Sequence, residues 1–156
     1  MDFWAKMGYE DIISRIKKVQ EFDPVAETMD IIEKNADFIK ELLRGQLASG
    51  RDGQGKPVTL FGRDFYADST IFYKERHGVG IGKITDHITN YDSGTFYSML
   101  KVRTAESVFE ITSDVEYFND IIARSGSVIM ELDSVNMARL ANEVVIPQLK
   151  QRFNSR

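Results

Sequence analysis

"FYSMLKVRTAESVFEIT", residues 96–112, decides the fold class. Two runs rich in β-forming residues flank "RTAES", which predicts a hairpin turning near Ala105 and Glu106. Phe109 and Ile111 alternate with Glu110, so one face of the second strand is expected on a core. Every other strongly patterned stretch of the chain has helical periodicity. The expectation is therefore an α+β domain: a small antiparallel sheet packed by long amphipathic helices.

Downstream of the hairpin, "SDVEYFNDIIARSG" (113–126) offers a capping box, Ser113 with Glu116, and predicts a helix of roughly ten residues. Its inner face is Val115, Phe118, Ile121 and Ile122, and Gly126 can end it. "VIMEL" (128–132) reads as a short strand. Asp133 can cap a last helix, which Pro147 should kink or restart near Val145. Upstream, Asp23 and Pro24 open a helix whose stripe (Val25, Met29, Ile32, Ile39, Leu42, Leu43 and Leu47) runs to about Ala48, a length of roughly 36 Å. Residues 9–20 form a shorter amphipathic helix, with Tyr9, Ile12, Ile13, Ile16 and Val19 opposite Arg15, Lys17 and Lys18. Between these parts the period disappears. The glycine-rich "SGRDGQGKPV" (49–58) reads as a turn or mobile loop, and "TLFGRDFYADSTIFYKERHGVGIGK" (59–83) as extended segments with room for one short helix.

The 156 residues, 42% of them hydrophobic, suit a single domain that buries roughly two thirds of its unfolded surface. An N-terminal arm and short helix (1–22) would precede an α+β core (23–156). Lys and Arg number 20 against 24 Asp and Glu, a net charge of −4, which provides no general attraction for nucleic acid. The absence of cysteine excludes disulfides, thiolate catalysis and cysteine metal sites. No apolar run approaches the roughly 20 residues of a membrane span, and "MDFWAKMGYED" lacks a signal-peptide core, so a soluble, cytosol-made protein is expected.

Tests for chemistry come out negative on spacing. "HGVGIGKIT" (77–85) resembles a phosphate loop, but His77 stands where a Walker loop needs glycine and Ile84 where it needs Ser or Thr. Lys83 occupies the place of the third glycine of a dinucleotide fingerprint. His77 and His87 do not combine with Asp86 or Asp92 at metal-ligand spacing, and Gln54 breaks a calcium-loop reading of "GRDGQG" (50–55). No nucleophile elbow is present. Neither catalysis, a cofactor nor a metal is expected. The aromatics Phe61, Phe65, Tyr66, Phe72 and Tyr73, interleaved with Arg63, Lys74 and Arg76, suit core or interface packing, with a nucleic-acid stacking surface as the alternative. Phe3 and Trp4 either fold back on the core or anchor in a neighbour.

"DFIKELLRGQLASGRDGQGKPV" (37–58), "HITNYDSGTFYSMLKV" (87–102) and the C-terminal "LANEVVIPQLKQRF" (140–153) together resemble small structural proteins of tailed bacteriophages, particularly those of gut Bacteroides phages. The resemblance is carried by Gln46, Leu47, Gly50, Asp52 and Gly55, and by Thr89, Asp92, Ser93, Gly94, Phe96 and Tyr97. It implies a neck subunit, a head-to-tail connector or a tail-completion protein that assembles as a homo-oligomeric ring between portal and tail. DNA would pass through such a ring without sequence-specific binding, and the protein would be found in the virion after assembly in the bacterial cytoplasm. The chain departs from the pattern in the inserted "GVGIGK" and in the helix of residues 9–20. Partner contacts are expected at Phe3, Trp4, Arg51, Lys56, His77 and Lys83. Asp92, Ser93 and Gly94 are expected to set a structural turn, with Gly94 at positive φ, that delivers Phe96 and Tyr97 into an apolar contact.

Overall fold

A computed structural model describes residues 9–156. Its architecture is mixed helix and strand, as the hairpin stretch leads one to expect. Strands β1 (Leu100–Ala105) and β2 (Val108–Ser113) pair antiparallel, with Ala105 opposite Val108 and Val102 opposite Ile111. Glu106 and Ser107 form the turn, and Glu106 takes a φ of 46°. Leu100, Val102, Ile111 and Ser113 face inward while Lys101, Arg103 and Glu110 face out. This alternation is the two-residue period of a sheet with one covered face.

Helices cover the inner face. Helix α1 (Tyr9–Glu21) comes first, followed by α2 (Pro24–Lys34) and α3 (Ala36–Ala48). The single helix expected over 24–48 is thus divided at Asn35, whose φ of −110° and ψ of 26° leave the helical region. Asn35 Nδ2 donates to the Ile31 carbonyl (2.7 Å), an alternative partner that short polar side chains offer the backbone and that ends helices. The break turns one long stripe into two shorter ones that both reach β1. Asp23 caps α2 by accepting from the Val25 and Ala26 amides, and Ile31, Ile39, Leu43 and Leu47 are fully buried.

Helix α4 (Asp68–His77) and a 3-10 turn at Gly80–Lys83 occupy the stretch read as extended segments with room for one short helix. A one-turn helix, α5 (Thr95–Ser98), leads into β1. After the hairpin the expected capping box does not form. Ser113 remains in β2, and α6 starts later, at Phe118–Ser125. The segment expected as a strand is a 3-10 turn, Ser127–Met130, because a short buried apolar run carries no period that separates the two. Asp133 does cap α7 (Ser134–Arg139), accepting from the Asn136 amide at 2.9 Å. A π-helical turn, Leu140–Val145, then runs into α8 (Ile146–Asn154). The wide turn makes room for Pro147, whose ring would otherwise meet the carbonyl one turn back.

Two polar devices tie these layers together. Gln46, 1% exposed, donates from Nε2 to the Glu131 carbonyl (2.8 Å) and accepts at Oε1 from the Asp133 amide (2.8 Å) and Asn136 Nδ2 (3.1 Å). Its amide therefore fixes α3 to the start of α7. The loop after α3 is held by its own chain: Asp52 Oδ1 accepts from the Gln54 and Lys56 amides, and the Gly53 amide donates to the Val128 carbonyl. A Cβ on Gly53 would collide with Glu131, so this tight approach requires glycine. The stretch read as a turn or mobile loop is thus a turn, held by its own bonds and by the Val128 carbonyl.

Candidate functional site

A cleft of about 1020 Å³ lies between α4, residues 90–97 and α6. Its chemistry is mostly aromatic. Tyr66, Tyr91, Phe96 and Tyr97 line it from within, and Phe61, Tyr73 and Tyr117 stand on its rim. Those three are exposed by 77%, 54% and 42%.

The inner wall is organised by Thr89, which is fully buried. Its amide donates to the Tyr66 hydroxyl (3.0 Å), its carbonyl accepts from the Tyr97 hydroxyl (2.6 Å), and its own hydroxyl accepts from the Tyr91 amide (3.2 Å). Three tyrosines of the cleft thus meet at one residue. Burial, with Tyr66 and Tyr91 alongside, pushes the Tyr97 phenol above its ordinary value, so it remains a donor at any physiological pH. Tyr91 and Tyr97 pack edge to face, with centroids 4.9 Å apart, a favoured geometry for aromatic quadrupoles.

Asp92, Ser93 and Gly94 form the adjoining corner. Gly94 has a φ of 89°, and a Cβ there would lie 2.6 Å from the Tyr91 hydroxyl oxygen. Ser93 Oγ lies 2.8 Å from Thr95 Oγ1. Phe96 and Tyr97, 3% and 4% exposed, then enter the core where the chain passes into β1.

Lys74 closes the floor. It is buried although cationic, its Nζ donates to the Tyr91 carbonyl (2.9 Å), and the ammonium sits 4.9 Å from the centre of the Tyr66 ring. A carbonyl dipole and a π face thereby take the place of a counter-ion. The opposite rim is a tight turn: the Leu60 and Arg63 backbones bond to each other both ways, with φ of 52° at Phe61 and 79° at Gly62. Both central residues are left-handed, as in the mirror-image hairpin turns. A bulky side chain in that region is uncommon and costs roughly 1–2 kcal/mol. The Phe61 amide donates to the Arg124 carbonyl (2.7 Å), which pins the turn to α6 and holds the ring out in solvent.

Of the residues singled out from sequence, Asp92, Ser93, Gly94, Phe96 and Tyr97 share one wall of this cleft. The others lie elsewhere. Arg51 is 3.5 Å from Asp133 Oδ2 on the far loop, Lys56 is exposed beside it, His77 packs at a tilt against Tyr73 at the end of α4, and Lys83 ends the 3-10 turn in solvent. Phe3 and Trp4 lie outside the described residues. His87 Nε2 donates to the Ala48 carbonyl (2.7 Å) and packs beneath Gly50, which gives it a role at the end of α3. No group of three or more metal-ligating side chains gathers among the described residues, and no described helix is long and apolar enough to cross a membrane.

Two sets of residues named from the sequence have settings that the sequence did not show. Phe61 stands on the cleft rim in a strained turn, for which "FG" between Leu60 and Arg63 was the available signal. The stripe of α1 is uncovered, with Ile12, Ile16 and Val19 exposed by 42%, 47% and 61%. No protein-family model matches this chain, and no curated protein or solved structure matches it.

Proposed function

We propose that this chain is a structural subunit of a protein assembly, of the kind that forms rings in the neck of tailed bacteriophages as a connector or tail-completion protein. The observation that carries this reading is the pair of apolar surfaces left open on one small domain: the α1 stripe, and the aromatics Phe61, Phe65, Phe72 and Tyr73, all more than half exposed. A solitary domain gains nothing from holding such side chains in water, whereas a subunit buries them against neighbours. The Thr89 to Tyr97 corner, on which the resemblance to phage proteins rests in part, has an architectural part here, because it seats a wall of the cleft. The reading assigns no catalytic step and no cofactor. It places the protein in the virion, as a homo-oligomeric ring beside the portal or an adjacent neck or tail protein. Co-assembly with a portal, followed by imaging of the native particle, tests it. A ring of this chain at the neck is expected, and a particle that lacks the chain overturns the reading.

The exposed aromatics also favour a second reading, a nucleic-acid surface over residues 61–83. Arg76 already lies 4.0 Å from the Phe72 ring centre, and such pairs stack on bases. Salt-dependent binding of DNA by the monomer would support it. Against it stand the burial of Lys74 and the interleaved Asp64, Asp68 and Glu75.

A further inference from the structure

We infer that the aromatic cleft is the receptor for helix α1 of a second copy of this chain, a head-to-tail contact that rests on the assembly reading above. Ile12, Ile16 and Val19 lie at i, i+4 and i+7, the spacing by which an amphipathic helix seats its anchors in a groove. All three are exposed on α1. They span about 10 Å along the helix axis, a length that an open cleft of this size accommodates.

Helix α1 is joined to the body at its far end, where Phe22 packs edge to face on Phe153 (5.2 Å) and Arg156 reaches the Glu21 carbonyl. Several of its residues share a groove with Arg156, and none of its described side chains lines the aromatic cleft. The stripe and the cleft are thus two different surfaces of one molecule, and a contact between them across copies is heterologous. It leaves a free stripe at one end and a free cleft at the other, and rings and filaments are built from such contacts.

The charges agree in sign. Arg15 flanks the stripe beside Ile16 and Val19, and the cleft presents the carboxylates Asp92 and Asp120, neither ion-paired among the described residues. Arg124 is the solvent-facing cation of the cleft, and α1 offers Asp11 to it. The charge of Lys74 is already engaged by the Tyr91 carbonyl and the Tyr66 ring. The strained, exposed Phe61 gains its contact when a helix lies along the rim.

The test uses full-length chains in light scattering and sedimentation over a concentration series. One chain carries Ile16→Glu, and a second carries Tyr73→Glu on one rim of the cleft or, independently, Tyr117→Glu on the other. All three positions are exposed, so circular dichroism should match the wild type. Each variant alone should associate roughly tenfold or more weakly than the wild type. The decisive result is the mixture: a helix-damaged chain still offers a cleft and a cleft-damaged chain still offers a helix, so the two should form a one-to-one dimer that goes no further. If Ile16→Glu abolishes association while both cleft variants associate normally, the helices pair with each other and the inference is overturned. Association that survives every substitution also overturns it and leaves the ring reading standing. A wild type that stays monomeric at every soluble concentration overturns this contact, while the ring reading falls only if the native particle lacks the chain.

Discussion

Gly94 and Phe61 both take positive φ beside the same cleft, with opposite consequences. At Gly94 the left-handed backbone and the Tyr91 hydroxyl leave no space for a methyl group, so Gly94→Ala combines backbone strain with a steric conflict. It should lower stability by on the order of 1–3 kcal/mol, read as a lower denaturant midpoint at unchanged slope. An unchanged midpoint would mean that the corner relaxes freely. Phe61 carries the same type of strain without a glycine to relieve it, and its ring is 77% exposed. Phe61→Asn should therefore raise stability by about 0.5–1 kcal/mol, since asparagine tolerates this region and little packing is lost. The same substitution should weaken association. A protein that becomes more stable and less able to assemble identifies the strain as retained for contact. A loss of stability would place the ring in the monomer's own packing.

At the scale of elements, packing alters what local pattern predicts, and ion pairs join helices that sequence keeps far apart. Asp30 on α2 accepts from Lys34 Nζ (2.8 Å) and lies 2.7 Å from the Arg152 guanidinium on α8. These bonds, Lys34 first, hold its carboxyl below its ordinary value. A carboxyl whose folded pKa is depressed contributes stability that is fully present above the unfolded value, near 4, and lost as pH falls through the folded one. Asp30→Asn should remove that component, so stability should fall less steeply in this acid window than in the wild type. High salt should shrink the difference, because the pair is exposed and screened. Equal acid slopes in the two proteins would leave the pair without a role. The hairpin and the Asp133 cap were legible because each depends on neighbours in sequence. The break at Asn35 was not, since the apolar stripe runs straight through it and only the bond to the Ile31 carbonyl ends the helix. The one short helix allowed within 59–83 could not be placed for the opposite reason: in α4, Phe72 and Tyr73 face solvent and Lys74 faces inward, which inverts the amphipathic pattern. Ser113 read as a cap, but its place in β2 and its hydroxyl bond toward the Phe96 carbonyl remove it from that use.

The whole molecule is unequal in how firmly its parts are held. The core joins α2, α3, the hairpin and the C-terminal helices in one buried cluster, whereas the 13 residues of α1 present their apolar stripe to solvent. An isolated helix of that length is marginal in water, because nucleation is costly and little packing offsets it. Its persistence rests on the Phe22 and Arg156 contacts at one end. Amide exchange should therefore divide the chain: α3 and β2 amides exchanging only through opening of the core, α1 amides orders of magnitude faster in dilute solution. Raising the protein concentration should protect α1 and the turn at Leu60 to Arg63 together, since the first is the proposed insert and the second lines the cleft that receives it. Tyr73→Glu should abolish that added protection in both segments and leave α3 unaffected. Should α1 be as protected as α3 in dilute solution, the helix belongs to the core. Should concentration protect α1 while the turn at Leu60 to Arg63 stays unchanged, the stripe is covered by another part of the neighbouring copy.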